Sequence, residues 1–140
     1  MKGSIYTLDG TTTKIQTPPN ERETLHLLQP FLVFQIFIPQ TAKNLKIEIA
    51  VTDTEKTKRR LIFHQGAGKG IVTNPLHARI PTNIFIKDQW LNLSFDVFAF
   101  AHFCFKGVNV KSIDLVSVTS HCKLRKIFSM RAPLKDDEMD

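Results

Sequence analysis

The run from Cys122 to Arg131 alternates in character with a period of two, which an extended strand displays as two distinct faces. One face of this extended strand is mostly apolar and carries Cys122, Leu124, Lys126, Phe128 and Met130. The other face is mostly cationic and carries Lys123, Arg125, Ile127, Ser129 and Arg131. Such a strand buries the apolar face in a core and offers the cationic face to an acidic partner.

Short extended patterns recur along most of the chain. Strands are predicted over residues 4–8, 12–16, 31–38, 45–52, 58–64, 77–80, 90–96, 112–120 and 122–131. Residues 31–38 are apolar on both faces, which predicts a central strand that ends at Pro39. Asp9-Gly10 is a turn signal, so the first two strands are expected to pair as a hairpin before Pro18 and Pro19 break the chain.

One segment favours a helix. Asp96 is a good N-cap residue, and Val97, Phe100, Ala101 and Cys104 share one helical stripe, so a short helix is predicted to end near Gly107. Many short strands with a single helix are typical of an all-β fold. We therefore predict an antiparallel β-sandwich of jelly-roll type with one short α-helix over residues 1–132, followed by an acidic disordered tail over residues 133–140.

The aromatic composition points to a core rich in phenylalanine. The chain has 11 Phe against one Trp and one Tyr, and a phenyl ring has no polar tip that needs water. The residues expected to be mostly buried are Phe31, Val33, Phe34, Ile47, Ile49, Leu93, Phe95, Leu124 and Phe128. Trp90 opens the predicted strand 90–96 and is assigned to the same core strand.

The chain is basic. Its formal net charge is +6, but the last six residues hold four acidic side chains and only one lysine. Residues 1–134 therefore carry 18 Lys and Arg against 9 Asp and Glu, a net charge of +9. A basic domain of this kind attracts polyanionic partners such as acidic protein surfaces, nucleic acid or anionic lipid, and charge alone does not choose among them.

The basic residues cluster on two predicted strands. The candidate partner-binding residues are Lys58, Arg59, Arg60, Lys123, Arg125 and Arg131. We expect the last-strand residues to project beside Lys58 and Arg60 as one cationic face, with Lys126 on the apolar side extending its ammonium to the strand end. The alternative is that these basic residues form an ordinary solvated sheet surface.

The motifs for chemistry are weak. Gln65–Gly70 has the glycines of a phosphate loop, but no Ser or Thr follows the Gly-Lys pair, so a flexible hairpin loop is preferred. His102 and Cys104 with His121 and Cys122 lack the paired spacing of a zinc site, since strand neighbours point to opposite faces. Buried free thiols are favoured over a nucleophile. We therefore predict no catalytic, cofactor or metal site, no small-molecule substrate and no membrane span.

Several runs, read in order, are shared with a known family. These runs are Phe31-Leu32-Val33-Phe34-Gln35-Ile36, Lys58-Arg59-Arg60-Leu61, Pro75-Leu76-His77-Ala78-Arg79-Ile80-Pro81, Trp90-Leu91-Asn92-Leu93 and Cys122-Lys123-Leu124-Arg125-Lys126-Ile127-Phe128. Together they resemble the domain of the cilia- and flagella-associated protein 20 family, over most of residues 1–131. The Pro75–Pro81 run is most similar to that of a larger, domain-containing family member.

The resemblance implies a β-sandwich with one short helix and no catalysis. It also implies a cytoskeletal protein of the cilium or flagellum, in the axoneme or centriole, whose partners are tubulin, doublet microtubules and inner-junction proteins. The family's domain normally begins with a further N-terminal segment before the part that matches Gly3–Tyr6. We therefore expect either a shortened form or a fragment.

A nucleic-acid-binding module is the alternative that the residues leave open. Single-strand binders expose aromatic rings as stacking platforms, and here Trp90 is assigned to a core strand, so this alternative is less favoured. A sugar-binding sandwich is disfavoured for the same reason. An enzyme is the least favoured class.

Overall fold

The computed structural model describes residues 6–8, 14–66 and 70–133. These residues form two β-sheets and one helix. The elements are β1 (Tyr6–Leu8), β2 (Lys14–Thr17), β3 (Phe31–Phe37), β4 (Lys46–Asp53), β5 (Lys58–Gln65), β6 (Val72–Thr73), β7 (His77–Thr82), β8 (Trp90–Asp96), α1 (Val97–Cys104), β9 (Val110–Thr119) and β10 (Cys122–Met130). The predicted all-β sandwich with one short helix is confirmed.

Each sheet has a defined strand order. The four-stranded sheet runs β1-β10-β3-β8, and the six-stranded sheet runs β2-β9-β4-β5-β7-β6. All strand pairs are antiparallel except β5 and β7, which run parallel. The sequence pattern did not predict this parallel pair or the short strand β6. It also ended β7 at Pro81, whereas the strand continues to Thr82.

The predicted hairpin between the first two strands is wrong. β1 pairs with β10 in the four-stranded sheet, and β2 pairs with β9 in the six-stranded sheet. The chain therefore crosses from one layer to the other between them. Asp9 and Gly10, which carried the hairpin prediction, lie outside the described residues. So do residues 67–69 of the glycine-rich loop and residues 134–140 of the predicted tail.

The core is built from the inner faces of both sheets. Strand β4 shows the expected alternation, with Ile47, Ile49 and Val51 fully buried. Phe34 and Phe95 of the four-stranded sheet meet edge to face, with ring centroids 5.6 Å apart, and Phe63 of the six-stranded sheet lies 4.4 Å from Phe95. Aromatic contacts of this kind therefore join the two layers.

The helix closes one side of this core. Asp96 caps α1 as predicted, since its Oδ1 accepts a hydrogen bond from the Ala99 backbone N–H at 3.1 Å. Phe100 packs edge to face on Phe63, with ring centroids 5.1 Å apart. The chain leaves the helix through Gly107, whose φ of +87° suits a residue without a side chain.

Most of the predicted core is confirmed. Val33, Phe34, Ile47, Ile49, Leu93, Phe95 and Leu124 are buried. Phe31 and Phe128 are only half-buried and lie on the outer face of the four-stranded sheet, so their assignment to the core is wrong. The displacement of Phe128 has one cause, an extra residue in β10.

Strand β10 contains a β-bulge at Arg125. Leu124 lies opposite Ile36 of β3, but Lys126 lies opposite Gln35, so Arg125 has no partner across the ladder. One inserted residue exchanges the two faces for the rest of the strand. Ile127 consequently points into the core with 5% of its surface exposed, while Lys126 turns outward. The predicted alternation is therefore wrong beyond Arg125.

Candidate docking surface

Arg59 is an internal structural residue. Its Nε lies 3.0 Å from Asp53 Oδ2, its Nη1 donates to the Pro75 carbonyl oxygen, and its guanidinium lies 5.2 Å from the centroid of the Phe105 ring. Asp53 also accepts hydrogen bonds from the backbone N–H groups of neighbouring loop residues, at 2.9 Å. The Arg59 guanidinium is therefore held against the fold and does not project to a partner.

Asp53 is a charged carboxylate shielded from water. Burial alone would raise the pKa of Asp53, but the backbone N–H of Thr57, the Arg59 side chain and the backbone N–H of Glu55 together hold that pKa below its usual value. The pair with Arg59 thus stays ionised at neutral pH.

The other two β5 residues lie on the outer face of the six-stranded sheet. Arg60 is the more constrained, because its guanidinium lies 3.4 Å from Glu48 Oε2 and 3.8 Å from Glu21 Oε1. Glu48 also pairs with Lys46 at 3.4 Å. Lys58 is exposed. Part of the positive charge of this face is therefore neutralised within the domain.

A polar cleft of about 240 Å³ opens beside Lys58 and Arg60. Asp114 lines this cleft, and its two carboxylate oxygens accept hydrogen bonds from the hydroxyls of Thr24, Ser112 and Thr52. The cleft wall carries Arg22, Lys58, Arg60 and Lys111 together with Glu21, Glu23 and Asp114, so its charges nearly balance.

The β10 group lies on the outer face of the four-stranded sheet. Lys123 and Lys126 both face outward, because they stand opposite Phe37 and Gln35, two residues apart on the same side of β3. Arg125 at the bulge and Arg131 just beyond the strand are exposed. Among the described residues, no carboxylate forms an ion pair with any of these four cations.

The two basic groups do not form one face. The β5 group lies on the six-stranded sheet and the β10 group on the four-stranded sheet, and the two sheets pack against each other through their inner faces. Lys58 and Arg60 therefore lie on the opposite side of the sandwich from Lys123. The expectation of a single cationic face was wrong. The basic residues cluster within two strands, but this clustering does not specify which sheet each strand joins.

The four-strand face, defined here as the outward residues of β10, β3 and β8, is ordered in rows across the strands. The first row is Lys123, Phe37 and Trp90, which lie opposite one another in the registers of the two strand pairs. The second row is Lys126, Gln35 and Asn92. The third row is Phe128, Val33 and Ser94, of which Val33 is fully buried, and the fourth is Met130, Phe31 and Asp96.

Aromatic rings and lysines are in contact on this face. The Phe37 and Trp90 rings have centroids 5.9 Å apart, and Lys123 Nζ lies 5.8 Å from the centroid of Phe37. Lys126 Nζ lies 5.1 Å from the centroid of Phe128. These are cation–π distances, so each ammonium remains on the surface beside an apolar ring.

Trp90 is not a core residue. Its side chain is 49% exposed, because the strand that it opens turns this position toward solvent. Sequence reasoning also missed Phe37 as a surface residue and placed Lys126 on the apolar side of its strand. Gln35 carried a usable signal, since one polar side chain in an otherwise apolar strand marks the face that meets water. Lys126 faces outward because of the bulge, and no residue type near the bulge indicates it.

The described residues contain no group of three or more His, Cys, Asp or Glu side chains placed to hold a metal ion. Cys104 and Cys122 are both buried free thiols, as predicted. Burial raises the pKa of both thiols, that of Cys122 to about 12. In the same part of the chain, no helix has the length and apolar character needed to span a membrane.

A protein-family model described as the CFA20 domain matches residues 1–140. The match spans the whole chain and agrees with the two-sheet architecture and single helix. It also agrees with the family resemblance of the five runs given above. The chain therefore belongs to the CFA20 domain family, a family associated with cilia and flagella.

Proposed function

We propose that this domain is a non-enzymatic structural module of the cilium or flagellum that binds microtubules, or proteins inside them, through the four-strand face. The proposed setting is the axoneme or centriole, with tubulin of doublet microtubules and inner-junction proteins as partners. Family membership supports the ciliary setting, and the surface chemistry supports the mode of binding.

One observation carries the choice of face. Lys123 and Lys126 stand side by side on the outer face of the four-stranded sheet, next to exposed Arg125, and no described carboxylate is paired with them. On the opposite side, Arg60 and Lys46 are paired with glutamates of the domain itself. An acidic partner can therefore bind the β10 cations without first displacing a carboxylate of the described residues.

The surface also has the composition of a protein interface. Aromatic residues, Met and Arg are enriched in protein–protein interfaces, and Trp90, Phe37, Phe128, Met130 and Arg125 lie together here. A surface of this kind combines long-range attraction from charge with short-range contact from rings.

Co-sedimentation with microtubules tests this function. The double variant Lys123→Glu with Lys126→Glu should bind about tenfold more weakly or worse, since two exposed pairs are each worth up to about 1 kcal/mol. Binding should also weaken with salt, because exposed charges are screened beyond about 10 Å at 0.1 M. Microtubules with and without their acidic tails show which acidic surface is used.

A matched control uses the opposite side of the sandwich. Lys58→Glu with Lys111→Glu makes the same change in net charge beside the polar cleft. It should leave microtubule binding nearly unchanged. If both double variants bind like the wild type, the docking proposal fails. If only the control variant loses binding, the six-stranded sheet is the docking surface instead.

The exposed rings also favour a second candidate, a single-strand nucleic-acid module. Trp90 and Phe37 form a partly exposed aromatic pair beside Lys123, which is the combination that such binders use. A single-stranded oligonucleotide titrated against the wild type and the Lys123→Glu, Lys126→Glu variant tests this candidate. Binding that is lost in the variant would support it.

A further inference from the structure

We infer that the row Lys123–Phe37–Trp90 is the part of the docking surface that takes an acidic peptide segment with a large apolar side chain among its carboxylates. This inference rests on the proposed function, because it names the part of an acidic partner that the same face would hold. A partner whose segment combines acidic and large apolar side chains would fit this row, whereas a partner whose segment is purely acidic would not.

The row is a continuous strip across three strands. Phe37 lies between the other two residues, with its ring 5.9 Å from that of Trp90 and 5.8 Å from Lys123 Nζ. Trp90 leaves about half of its surface in water, and Phe37 is half-buried. The strip therefore presents an apolar patch at one end and a positive charge at the other, within the width of three strands.

This arrangement constrains the occupant. A carboxylate that reaches Lys123 stands next to the Phe37 ring, so the neighbouring part of the same segment lies over Phe37 and Trp90. A purely acidic segment would leave those rings in water or cover them with charged groups that lose hydration. A large apolar side chain at that place removes apolar surface from water on both partners.

The second row fits the main chain of such a segment. Lys126 stands beside Gln35, so one amide and one ammonium follow the aromatic row. Successive rows are two residues apart along β3 and β8, about 7 Å, whereas the bulge places Lys126 three residues after Lys123 on β10. Alternate residues of an extended peptide have the same spacing, so an apolar residue on the first row places an acidic residue two positions away near Lys126.

Fluorescence reads the row directly, because Trp90 is the only tryptophan of the chain. The probe is a short peptide with Leu at its centre, Glu at every second position on either side of the Leu, and Ser between them. The reference peptide has Ser in place of the Leu and the same charge. We expect the Leu peptide to bind about tenfold tighter. It should also shift the Trp90 emission to shorter wavelength and reduce quenching by acrylamide.

Two substitutions separate the row from general surface effects. Trp90→Ala, followed with a labelled peptide, should abolish the preference for Leu over Ser. Phe103→Ala is the matched aromatic control, since Phe103 is 73% exposed on α1, away from the row, and this change should leave the preference intact. Circular dichroism checks that both variants are folded.

The outcomes are distinct from those of the microtubule test. Equal affinity for the two peptides, or a preference that survives Trp90→Ala, overturns this inference even if Lys123→Glu with Lys126→Glu still weakens microtubule binding. If the variant Lys123→Glu with Lys126→Glu binds microtubules like the wild type while the preference for the Leu peptide holds, the proposed function is overturned and the peptide preference stands. An oligonucleotide that binds tighter than both peptides and protects Trp90 assigns the row to nucleic acid, which also overturns the inference.

Discussion

Arg59 and Asp53 form an ion pair at one end of the six-stranded sheet, with 3.0 Å between Arg59 Nε and Asp53 Oδ2. The Asp53 side chain is 2% exposed and that of Arg59 is 17% exposed. The pair joins the last residue of β4 to the second residue of β5, and Arg59 extends the connection to the Pro75 carbonyl. It therefore fastens three segments of the chain.

The first prediction concerns this pair. Asp53→Ala leaves Arg59 Nε and two backbone N–H groups without their acceptor, so it should lower the free energy of unfolding by about 3 kcal/mol. Asp53→Asn keeps an acceptor oxygen but loses the charge, so its effect should be smaller. Urea denaturation at neutral pH measures both.

The pH dependence follows from the lowered pKa of Asp53. A carboxyl group with a depressed pKa in the folded state contributes stability above its unfolded value, near 3.8, and loses it as the pH falls through the folded value. The stability gap between wild type and Asp53→Asn should therefore be constant above about pH 5 and shrink below about pH 4. A gap that widens on acidification would contradict the assignment.

The second prediction tests the bulge at Arg125. Ile127 faces the core, so Ile127→Ala should cost about 3 kcal/mol, whereas half-buried Phe128→Ala should cost about 1 kcal/mol. Phe95→Ala serves as a core reference at about 4 kcal/mol, since Phe95 contacts rings from both sheets. An uninterrupted strand would reverse the order of the first two variants. Midpoints of urea unfolding decide between them.

The elements that the sequence predicts well are those whose face pattern is set by local burial. Residues 90–96 form β8 with the predicted bounds, because Leu93 and Phe95 must face the core and their neighbours need not. The α1 cap was also predictable, since Asp96 satisfies the backbone N–H of Ala99 within one turn. In both cases the determining contacts lie within a few residues.

What could not be predicted depends on contacts distant in sequence. The Asp9-Gly10 turn signal is local, but the partner of β1 is β10, more than a hundred residues away. The bulge at Arg125 is set by register against β3, and no Gly or Pro marks it. The same contacts decide the candidate site, because they send Lys58 and Lys123 to different sheets. The basic residues were visible in the sequence, but their grouping was not.

The third prediction concerns the two thiols. Cys122 is fully buried in β10, and burial raises its pKa to about 12, so at pH 8 it is almost entirely protonated and shielded from reagent. Cys104 is also mostly buried, and burial raises its pKa. It nevertheless lines an open cleft of about 380 Å³ at the end of α1, beside Pro75 and Lys106. We expect small motions of that end to expose Cys104 without unfolding the sheets.

Alkylation at pH 8 followed by mass spectrometry should therefore modify Cys104 first. Cys122 should react only at the rate of global unfolding, so its modification should accelerate with urea in step with the loss of sheet structure. The Cys104→Ser variant keeps only the slowly reacting thiol of Cys122, so it should resist alkylation in native buffer. If Cys122 reacts in that variant without denaturant, β10 opens locally. The four-strand face would then not be the rigid surface that docking through Lys123 and Lys126 requires.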